Sequence, residues 1–564
     1  MKLPRLPEHV RRALKLPGSR SFTQRHGLRR RIALVGALLL SCCLPHAVFA
    51  QDTTAACLAL KNATNRARFA TLVDAPTTLL TVRVVPQGGD GTLPEKDFPE
   101  FCEVEAQIAP TIGVFLRMPT STWNGKLLMG GCGGPCGNFP FGRYDTALVR
   151  NYAVVVTDMG HQGQGWAWAY QNIENQIDFG FRSTHVTAIA AKDVVDAFYG
   201  SRAKRNYFWG CSTGGRQGLV ESQRFPKDFD GIVAGAAPYS QTGFQAYVYG
   251  WQERNNVDPE GKPILTAAKL PVVHKAVMAA CDKQDGIADN LLQNPLQCKW
   301  DPKQIQCKAG VQGEECLTAA QVDVVRKFYD GPRNSRGEVL FHGRARGSEM
   351  TWKPGVPSKL PNENLMTNYL SFFYPPGPNY HRADFDLDRD PERLALKDWL
   401  FNMVNPDLRP FKAAGGKMIL FHGWDDNNDI PPEQAIDYYE LTTRTMGGDK
   451  TTKDFFRMFL PPGMFHCQYG PGGGEIDWLT AIENWVEKGQ APDQVIAYHM
   501  KKEPYDVELP PGSKERKRAL YPRHPLDPST YDRSRPVYAY PDVARYSGKG
   551  NPNEPGSWEK EPRK

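Results

Sequence analysis

The sequence predicts an α/β protein built on a parallel β-sheet, because strand-like and helix-like segments alternate along the chain. Short apolar or β-branched runs predict strands at 152–158, 205–210 and 415–426. Helical spacing of apolar residues predicts a helix at 184–200, where a glycine can end it, and another at 217–223. This alternation favours a parallel α/β sheet.

Residues 1–50 are expected to be a secretory signal peptide with a long basic lead. The basic stretch RHGLRRR (25–31) precedes a continuous apolar run (32–40), and small residues suited to cleavage end at Ala50. The apolar run is too short to span a bilayer. We therefore expect a periplasmic or secreted protein with no stable membrane insertion after cleavage. A lipid anchor at Cys42 is the alternative.

The charge of the mature chain argues against a nucleic-acid partner. The whole chain carries a formal +7, but the first 50 residues hold ten Lys or Arg and one Glu, a net +9, which leaves −2 for the remainder. A surface that follows phosphate groups needs a cationic patch. The basic charge therefore belongs to the targeting segment, and no nucleic-acid partner is expected.

Ten cysteines follow residue 50, and an even number in an exported chain favours disulfide bonds over metal thiolates. These cysteines are Cys57, Cys102, Cys132, Cys136, Cys211, Cys281, Cys298, Cys307, Cys316 and Cys467.

The stretch GCSTG (210–214) supplies a candidate nucleophile, Ser212. In the pattern G-x-S-x-G, small flanking residues allow a strained turn that presents the serine oxygen between a strand and a helix. A purely structural glycine–serine turn gives the same letters, so the predicted strand before and helix after are what favour catalysis. A serine hydroxyl also needs a positioned base at neutral pH.

His466 is selected as that base by the cysteine that follows it. Cys211 precedes Ser212 and Cys467 follows His466, and a bridge between these cysteines would hold their α-carbons within about 7 Å. Ser212 and His466 would then be close enough to share a proton. The alternative is that each cysteine pairs elsewhere, although the other eight fall into four local pairs.

The loop FHGWDDNNDIPP (421–432) offers a carboxylate to orient the histidine. It follows a predicted strand and lies between the serine and the histidine in sequence, which is the order of the α/β-hydrolases. Asp425, Asp426 and Asp429 are all candidates, and solvated loop aspartates are the alternative.

Backbone N–H groups are needed to stabilise the oxyanion that forms during acyl transfer. Thr213, directly after the nucleophile, is expected to supply one. The glycine-rich run MGGCGGPCG (129–137) is expected to supply the second, from Gly134 or, as a close alternative, Gly133. A flexible linker is the other interpretation of this run, but a bridge between its two cysteines would stiffen it.

Residues 241–400 interrupt the α/β pattern with four cysteines, proline-rich loops and little periodicity. We interpret them as a lid domain inserted between two parts of the core, 51–240 and 401–564. The tail from about residue 509, which is rich in proline and charge, either wraps the surface or is disordered.

The stretch CDKQDGIADNLLQNPLQC (281–298) predicts a calcium loop in the lid. Three carboxylates that converge around a glycine repel one another unless a hard cation neutralises them. The prospective ligands are the carboxylates of Asp282, Asp285 and Asp289 and the backbone carbonyls of Ile287 and Leu291. The spacing excludes an EF-hand, and an ordinary acidic turn is the alternative.

Together these segments resemble the tannase/feruloyl esterase family, which also contains hydrolases of terephthalate monoesters. The matching stretches are WNGKLLMGG, GCSTGGRQG, RFPKDFDGIVAGAAP, CDKQDGIADN, GGKMILFHGWDD and PPGMFHC. The resemblance implies an α/β-hydrolase core with a large inserted, calcium-bearing lid domain and a Ser212–Asp426–His466 triad. The bridges that it implies are Cys57–Cys102, Cys211–Cys467, Cys281–Cys298 and Cys307–Cys316.

The chain departs from the family's pattern in three places. Tyr538 stands where a cysteine of a last disulfide would be expected, and no cysteine follows Cys467. The pair of cysteines in the glycine-rich run is an addition. Terephthalate-monoester hydrolases are thought to hold the substrate carboxylate with a lid arginine, whereas this chain has no arginine between Gly347 and His381, only Lys353 and Lys359.

The sequence therefore predicts a secreted serine esterase that hydrolyses aromatic carboxylic esters of gallate or hydroxycinnamate type. Lid aromatics, among them Trp352, Tyr369, Phe372 and Phe373, are expected either to form a slot for the ring or to serve as lid core. Terephthalate-monoester hydrolysis is the alternative activity, and acyl transfer or peptide hydrolysis shares the same chemistry. A polyphenol-binding protein of the same fold is the non-enzymatic alternative.

Overall fold

The computed structural model describes most of the chain beyond the predicted signal peptide. The described residues are 53–89, 97–163, 165–310, 313–352, 384, 386–427, 430–502, 506–508, 517–519 and 524–562. Several sequence predictions lie outside these residues, namely the signal peptide, the candidate lipid anchor Cys42, the lid residues Lys353, Lys359, Tyr369, Phe372 and Phe373, and the loop residue Asp429.

A nine-stranded sheet forms the centre of the described chain, in the order β1-β2-β3-β5-β4-β6-β7-β8-β9. Its strands are β1 (Thr77–Val85), β2 (Phe101–Ile108), β3 (Ile112–Pro119), β4 (Lys126–Gly130), β5 (Ala153–Thr157), β6 (Arg205–Cys211), β7 (Gly231–Gly235), β8 (Lys417–Phe421) and β9 (Phe456–Phe459). From β5 to β9 all neighbours are parallel, as predicted. Strands β1, β2 and β3 extend one edge of the sheet with antiparallel pairs, which the sequence analysis did not predict.

Helices cover both faces of the sheet. The α-helices of five or more residues are α1 (Thr53–Ala59), α2 (Ala63–Ala70), α3 (Asp145–Val149), α4 (Ile173–Ile177), α5 (Ser183–Tyr199), α6 (Thr213–Arg224), α7 (Trp251–Asn255), α8 (Leu270–Cys281), α9 (Ala319–Asp330), α10 (Asp390–Leu394), α11 (Arg409–Ala413), α12 (Pro432–Thr445), α13 (Asp449–Lys453) and α14 (Trp478–Lys488). Helices α5, α6 and α12 pack against one face through Val194, Leu219 and Ile436. Helices α3 and α14 pack against the other through Leu148 and Ile482. Side chains of a strand point alternately to the two faces, so the fold has three layers.

The inserted segment has an apolar core of its own. Its members come from residues 251–352, mainly from α7, α8 and α9. Trp352 is buried in this core, where its ring centroid lies 5.6 Å from that of Phe328 and 5.1 Å from that of Tyr329. Of the two roles expected for Trp352, it has the lid-core role. The lid domain and its boundaries, 241 and 400, stay a prediction.

The end of the chain packs on the core. The remaining strands are β10 (Gln494–Met500), β11 (Asp506–Glu508), β12 (Lys517–Ala519), β13 (Tyr531–Tyr538), β14 (Val543–Tyr546) and β15 (Trp558–Glu561). Strand β13 pairs with β10, and Tyr540 N donates to Met458 O in β9. The part of the tail at 524–562 therefore wraps the surface. None of the described helices combines the length and the apolar character needed to cross a bilayer.

The candidate site residues follow four strands, β4, β6, β8 and β9, at the same edge of the sheet, with β7 between β6 and β8. The glycine-rich run follows β4, Ser212 follows β6, Asp426 lies five residues beyond β8, and His466 lies seven residues beyond β9. Ligands bind outside the carboxyl ends of parallel strands in open α/β sheets. The topology therefore gathers these residues at one place.

Candidate active site

Ser212 occupies a strained turn between β6 and α6. Its φ is 62° and its ψ is −124°, a backbone conformation that residues other than glycine rarely adopt. The flanking glycines are needed because a Cβ on Gly210 would lie 2.6 Å from the backbone of Gly214. Ser212 N donates to Gly235 O at 2.9 Å, which holds the turn. This is the turn that the G-x-S-x-G pattern predicts.

His466 and Asp426 form a buried pair beside this turn. His466 Nδ1 lies 2.7 Å from Asp426 Oδ2, and the two side chains are 8% and 2% exposed. Because Nδ1 faces a carboxylate it carries the proton, and Nε2 has the free lone pair. Nε2 is buried and has no hydrogen-bond partner among the described residues, so it makes no hydrogen bond with Ser212 in this state.

A disulfide ties the serine loop to the histidine loop. Cys211 and Cys467 are bonded, with their α-carbons 5.8 Å apart. Ser212 and His466 are the immediate neighbours of these two cysteines, so the bridge limits how far the hydroxyl can move from the imidazole. The other bridges in the structure are Cys57–Cys102, Cys132–Cys136, Cys281–Cys298 and Cys307–Cys316. These pairings are the ones that the sequence analysis expected.

Asp426 is the described candidate that orients His466. Asp425, beside it in the loop, does not hydrogen-bond the ring. Burial, together with the nearby Glu349 carboxylate, raises the pKa of Asp425 to about 7. The neighbouring Asn427 instead accepts the backbone N–H of His466 through its side-chain oxygen, at 3.2 Å.

A second histidine, His422, contacts the same carboxylate. Its Nε2 lies 3.0 Å from Asp426 Oδ2, and its side chain is fully buried. Burial by itself would raise the pKa of Asp426, but the charge and hydrogen bond of His466 and the hydrogen bond of His422 hold it well below its usual range. Asp426 is therefore ionised at neutral pH. His422 was not predicted from the sequence, where its only signal is its position four residues before Asp426.

The glycine-rich loop after β4 is held in place by three side chains. Thr213 Oγ1 donates to Gly134 O at 2.7 Å. The other two anchors are Gln217, whose Oε1 accepts Cys132 N at 3.0 Å, and His161, whose Nε2 donates to Pro135 O at 2.7 Å. Burial lowers the pKa of His161 to about 4, so its ring is neutral at neutral pH. The sequence analysis assigned no role to Gln217 or His161.

Two glycine amides of this loop are available to an oxyanion. In the described part of the chain, the N–H groups of Gly133 and Gly134 meet no acceptor, whereas those of Gly131 and Cys132 are already bonded. Thr213 is the first residue of α6, so its N–H also lacks a partner within the helix. The choice between Gly133 and Gly134 stays open.

The predicted calcium loop is a buried acidic turn in the lid. Asp282 Oδ2 accepts Asn290 N at 3.0 Å, and Asp285 Oδ1 accepts Ile287 N at 3.2 Å. The opposite oxygens, Asp282 Oδ1 and Asp285 Oδ2, are buried and have no hydrogen-bond donor among the described residues, and the same holds for Asp289 Oδ1. Asp289 Oδ2 lies 2.6 Å from Arg535 Nη2 in the tail.

These unpaired oxygens fit a hard cation. Burial raises the pKa of Asp285 to about 7, and the like charges of Asp289 and Asp282 add to that effect. Donors also fail to reach the backbone oxygens of Ile287 and Leu291 within the described residues. Carboxylate and carbonyl oxygens are the ligands that Ca²⁺ takes. The donor set therefore suits calcium, and Arg535 neutralises only part of its charge.

A different trio forms the tightest potential metal site. Among the described residues, only His185, Glu221 and Asp228 bring ligand atoms within 4.8 Å of one another, so the loop aspartates are more widely spaced. Burial, with Asp228 nearby, raises the pKa of Glu221 well above its usual range. His185 Nδ1 lies 2.5 Å from Asp228 Oδ2, and both carboxylate oxygens of Glu221 are buried without a hydrogen-bond partner among the described residues.

Several known proteins that this chain resembles are named as ester hydrolases. A family model described as tannase and feruloyl esterase matches residues 98–560. The chain is 30% identical over 557 residues to the mono(2-hydroxyethyl) terephthalate hydrolase of Piscinibacter sakaiensis, covering 84% of this chain and 87% of that protein. It is 32% identical over 409 residues to a probable feruloyl esterase of Arthroderma benhamiae, covering 68% and 75% respectively.

The fold is also similar to that of a solved esterase. The crystal structure of feruloyl esterase B from Aspergillus oryzae superposes with a TM-score of 0.75 at 26% identity, and the alignment covers 90% of this chain and 100% of that one. The predicted fold and the predicted resemblance are confirmed.

Proposed function

Because this chain belongs to the tannase and feruloyl esterase family and is thereby a carboxylic ester hydrolase, we propose that it is a secreted serine esterase acting on aromatic esters of gallate or hydroxycinnamate type. One observation carries the mechanism. His466 is held by Asp426 through Nδ1, at 2.7 Å, while its buried Nε2 has no partner among the described residues. An imidazole so oriented can take the proton of a neighbouring serine.

In the first half-reaction, Ser212 attacks the ester carbonyl. His466 Nε2 accepts the hydroxyl proton as the Oγ–carbon bond forms, and then delivers it to the departing alcohol. Asp426 keeps the ring in the tautomer whose Nε2 is free and stabilises the imidazolium that forms. The Cys211–Cys467 bridge supports this role for Ser212, because it restrains both loops.

In the second half-reaction, water releases the aromatic acid from Ser212. His466 Nε2 removes a proton from the water, and the same proton returns to the Ser212 oxygen when the acyl bond breaks. The N–H of Thr213 and that of Gly134, with Gly133 as the alternative, would stabilise the oxyanion in both steps. Removal of one such donor typically costs 10²–10³ in kcat, about 3–4 kcal/mol.

We assign a structural calcium ion to the lid loop. Asp282, Asp285 and Asp289 would hold it with the backbone oxygens of Ile287 and Leu291, and it would supply positive charge to a buried acidic turn. The unpaired carboxylate oxygens of this turn support the assignment. Because the loop belongs to the lid and carries no catalytic residue, the ion takes no part in bond breaking.

Secretion or export to the periplasm is proposed on two grounds. The first 50 residues have the organisation of a signal peptide. The structure also contains five disulfides, and disulfides persist in oxidising compartments.

Terephthalate-monoester hydrolysis is the second candidate activity. It is favoured by the relative from Piscinibacter sakaiensis, which is named for that activity. The absence of arginine between Gly347 and His381 counts against it, since a terephthalate monoester carries a free carboxylate that a cation would hold. Lys353 and Lys359 are the cations available in that segment.

The proposal predicts that Ser212→Ala abolishes ester hydrolysis. Without the hydroxyl no acyl-enzyme can form, so kcat for p-nitrophenyl acetate should fall by about 10⁴–10⁶, while the melting temperature stays near that of the parent. Stopped-flow release of p-nitrophenol should show a burst in the parent and none in the variant. Full activity in Ser212→Ala would refute the assignment, and absence of activity in the parent would favour a binding protein.

A substrate panel separates the two candidate activities. Methyl gallate, methyl ferulate and a terephthalate monoester would be compared by kcat/KM at one pH. The proposal expects one of the first two to be the best substrate. If the terephthalate monoester is best, the alternative activity is correct. Addition of alcohol and amine acceptors tests for acyl transfer, and an amide analogue tests for peptide-bond cleavage.

A further inference from the structure

Two histidines converge on one oxygen of the Asp426 carboxylate. His466 Nδ1 lies 2.7 Å from Oδ2, and His422 Nε2 lies 3.0 Å from the same atom. Only His466 has a part in the proposed reaction. His422 is fully buried, in the residues that lead from β8 to the aspartate loop.

The partners of His422 establish that it is a donor. Its Nε2 faces two acceptors, Asp426 Oδ2 at 3.0 Å and Ile430 O at 3.1 Å, so this nitrogen carries a proton. Its Nδ1 is buried and has no partner among the described residues. A proton on Nδ1 would therefore be a buried, unsatisfied donor, which is costly. The contacts of His422 thus make Nε2 its donor atom.

The backbone of His422 links the two loops that carry the aspartate and the base. His422 N donates to Phe459 O at 3.0 Å. Phe459 is the last residue of β9, the strand that precedes the His466 loop, and Ile430 lies just before α12. The backbone of His422 is therefore held between β8 and β9, while its ring contacts both Asp426 and Ile430.

We propose that His422 is a positioning residue of the ester hydrolysis. Its Nε2–H fixes the orientation of the Asp426 carboxylate and takes up part of the negative charge. Asp426 can then orient His466 without raising the pKa of that imidazole as far as an unshared carboxylate would. This inference rests on the proposed function, because it gives Asp426 the orienting role. Two donors on a single oxygen restrict rotation of the carboxyl group. A carboxylate that accepts two charge-assisted hydrogen bonds also has less charge to offer to each donor.

The inference differs from a purely structural role for a buried ring. If His422 only fills space, any side chain of similar size restores activity in proportion to stability. If it acts through Asp426, an N–H donor at the Nε2 position is required. His466 and His422 are the titratable groups that act on Asp426, so the loss of one must change how the other is held.

A matched pair of variants tests this difference. His422→Met and His422→Gln have side chains of similar length, but only glutamine offers an N–H where Nε2 stands. We expect His422→Met to lower kcat about tenfold with KM nearly unchanged. The acidic limb of kcat/KM should move to higher pH by roughly half a unit, because the carboxylate, without the His422 donor, stabilises the protonated His466 ring more strongly. His422→Gln should recover most of both effects.

The control is a partly buried histidine outside the loops that carry Ser212, Asp426 and His466. His185 also donates to an aspartate, Asp228, and packs on Phe225. His185→Met should reduce the melting temperature but leave the acidic limb at its parental pH. Proton NMR gives an independent readout, since the downfield Nδ1 proton of His466 should shift in His422→Met and return towards its parental position in His422→Gln.

Two outcomes would overturn the inference. One is an acidic limb and an Nδ1 resonance that are unchanged in His422→Met. The other is equal loss of activity in the methionine and glutamine variants with equal loss of stability. If Ser212→Ala is inactive in either case, the proposed function stands and only the role of His422 fails. If Ser212→Ala is active, the proposed function itself fails.

Discussion

Asp426 and Asp285 are both buried carboxylates at the centre of a loop, yet their surroundings are opposite. Asp426 accepts hydrogen bonds from two imidazoles, and its pKa lies well below the usual range despite its burial. Asp285 accepts one backbone N–H and faces two other aspartates, and burial with these like charges raises its pKa to about 7. The anionic form of an aspartate is therefore stabilised in the active-site loop and destabilised in the lid loop.

The difference shows what a buried carboxylate needs. Burial penalises the charged form in both loops, so the donors nearby decide the outcome. The active-site loop supplies its donors from the protein itself, as His466 and His422. The lid loop supplies too few, since Arg535 reaches only one oxygen of Asp289. We infer that the first loop is complete by itself and that the second needs a cation from solution.

The largest predicted effect is that of removing the charge from the active-site loop. Asp426→Asn keeps the shape of the side chain but can donate a hydrogen bond to His466, which favours the wrong tautomer. We expect kcat to fall by about 10⁴ with little change in KM. Steady-state kinetics with p-nitrophenyl acetate measure this effect, and circular dichroism verifies the fold.

The neighbouring aspartate provides the matched control for that experiment. Asp425 is partly buried in the same loop but does not bond His466, and its raised pKa of about 7 shows that its charged form is already disfavoured. Asp425→Asn should therefore keep activity within a few-fold of the parent and leave stability unchanged or higher. Similar losses of kcat in the two variants would contradict the choice of Asp426.

The two loops also differ in the disulfide bond that restrains each of them. Cys211–Cys467 joins residues 256 apart in the sequence, whereas Cys281–Cys298 encloses the acidic loop with a separation of 17. In the chain-entropy model, the longer loop contributes about 5 kcal/mol to the free energy of unfolding and the shorter one about 3 kcal/mol. The longer bridge also restrains the proposed catalytic residues Ser212 and His466.

We expect the double variant Cys211→Ala/Cys467→Ala to lose both stability and activity. Chemical denaturation should show a decrease of several kcal/mol in the free energy of unfolding, and kcat should fall more steeply than the folded fraction because Ser212 and His466 are no longer tied together. Cys307→Ala/Cys316→Ala, which removes a bridge on the lid surface, is the control and should leave kcat unchanged. If both double variants lose activity only in proportion to unfolding, the bridge does not position the site.

Much of this site could be predicted from the sequence because its signals are local. A strained serine turn needs small neighbours at fixed spacing, and the two cysteines stand directly beside Ser212 and His466. The missing parts depend on how the backbone is placed. His422 is one of 12 histidines, and its position four residues before Asp426 does not by itself show that Nε2 reaches the carboxylate, because its backbone is held by Phe459 O in a different strand. The oxyanion glycine is likewise undetermined by sequence, because Gln217 and His161 hold its loop from elsewhere.

The fold shows the same limit. The parallel strands β5, β6 and β8 were predicted from short apolar or β-branched runs, since a parallel sheet is buried on both faces, whereas β4, β7 and β9 were not predicted. The antiparallel edge was not, because β1 alternates irregularly between buried and exposed positions, and its register is fixed only by pairing with β2. The signal therefore weakens where a strand has one solvent-facing side.

The smallest predicted effect is that of calcium binding to the acidic lid loop, where the ion would neutralise the unpaired carboxylates. The raised pKa of Asp285, about 7, means that the folded, metal-free protein keeps a proton on this side chain between about pH 4 and pH 7, where the unfolded chain has lost it. The unfolded chain binds fewer protons in that window, so the free energy of unfolding should fall as pH rises through it. Calcium replaces the proton, and its benefit should therefore be larger at pH 7.5 than at pH 5.

Thermal unfolding of chelator-treated protein, with and without CaCl₂ at the two pH values, measures this difference. At a calcium concentration 100-fold above Kd, stabilisation of about 2.7 kcal/mol is expected at pH 7.5. Asp285→Asn should remove the calcium response and flatten the pH dependence, while Asp323→Asn, at an exposed position of α9, should change neither. A melting temperature that does not respond to calcium at pH 7.5 would mean that Arg535 and protons suffice, and that both loops are complete without a metal.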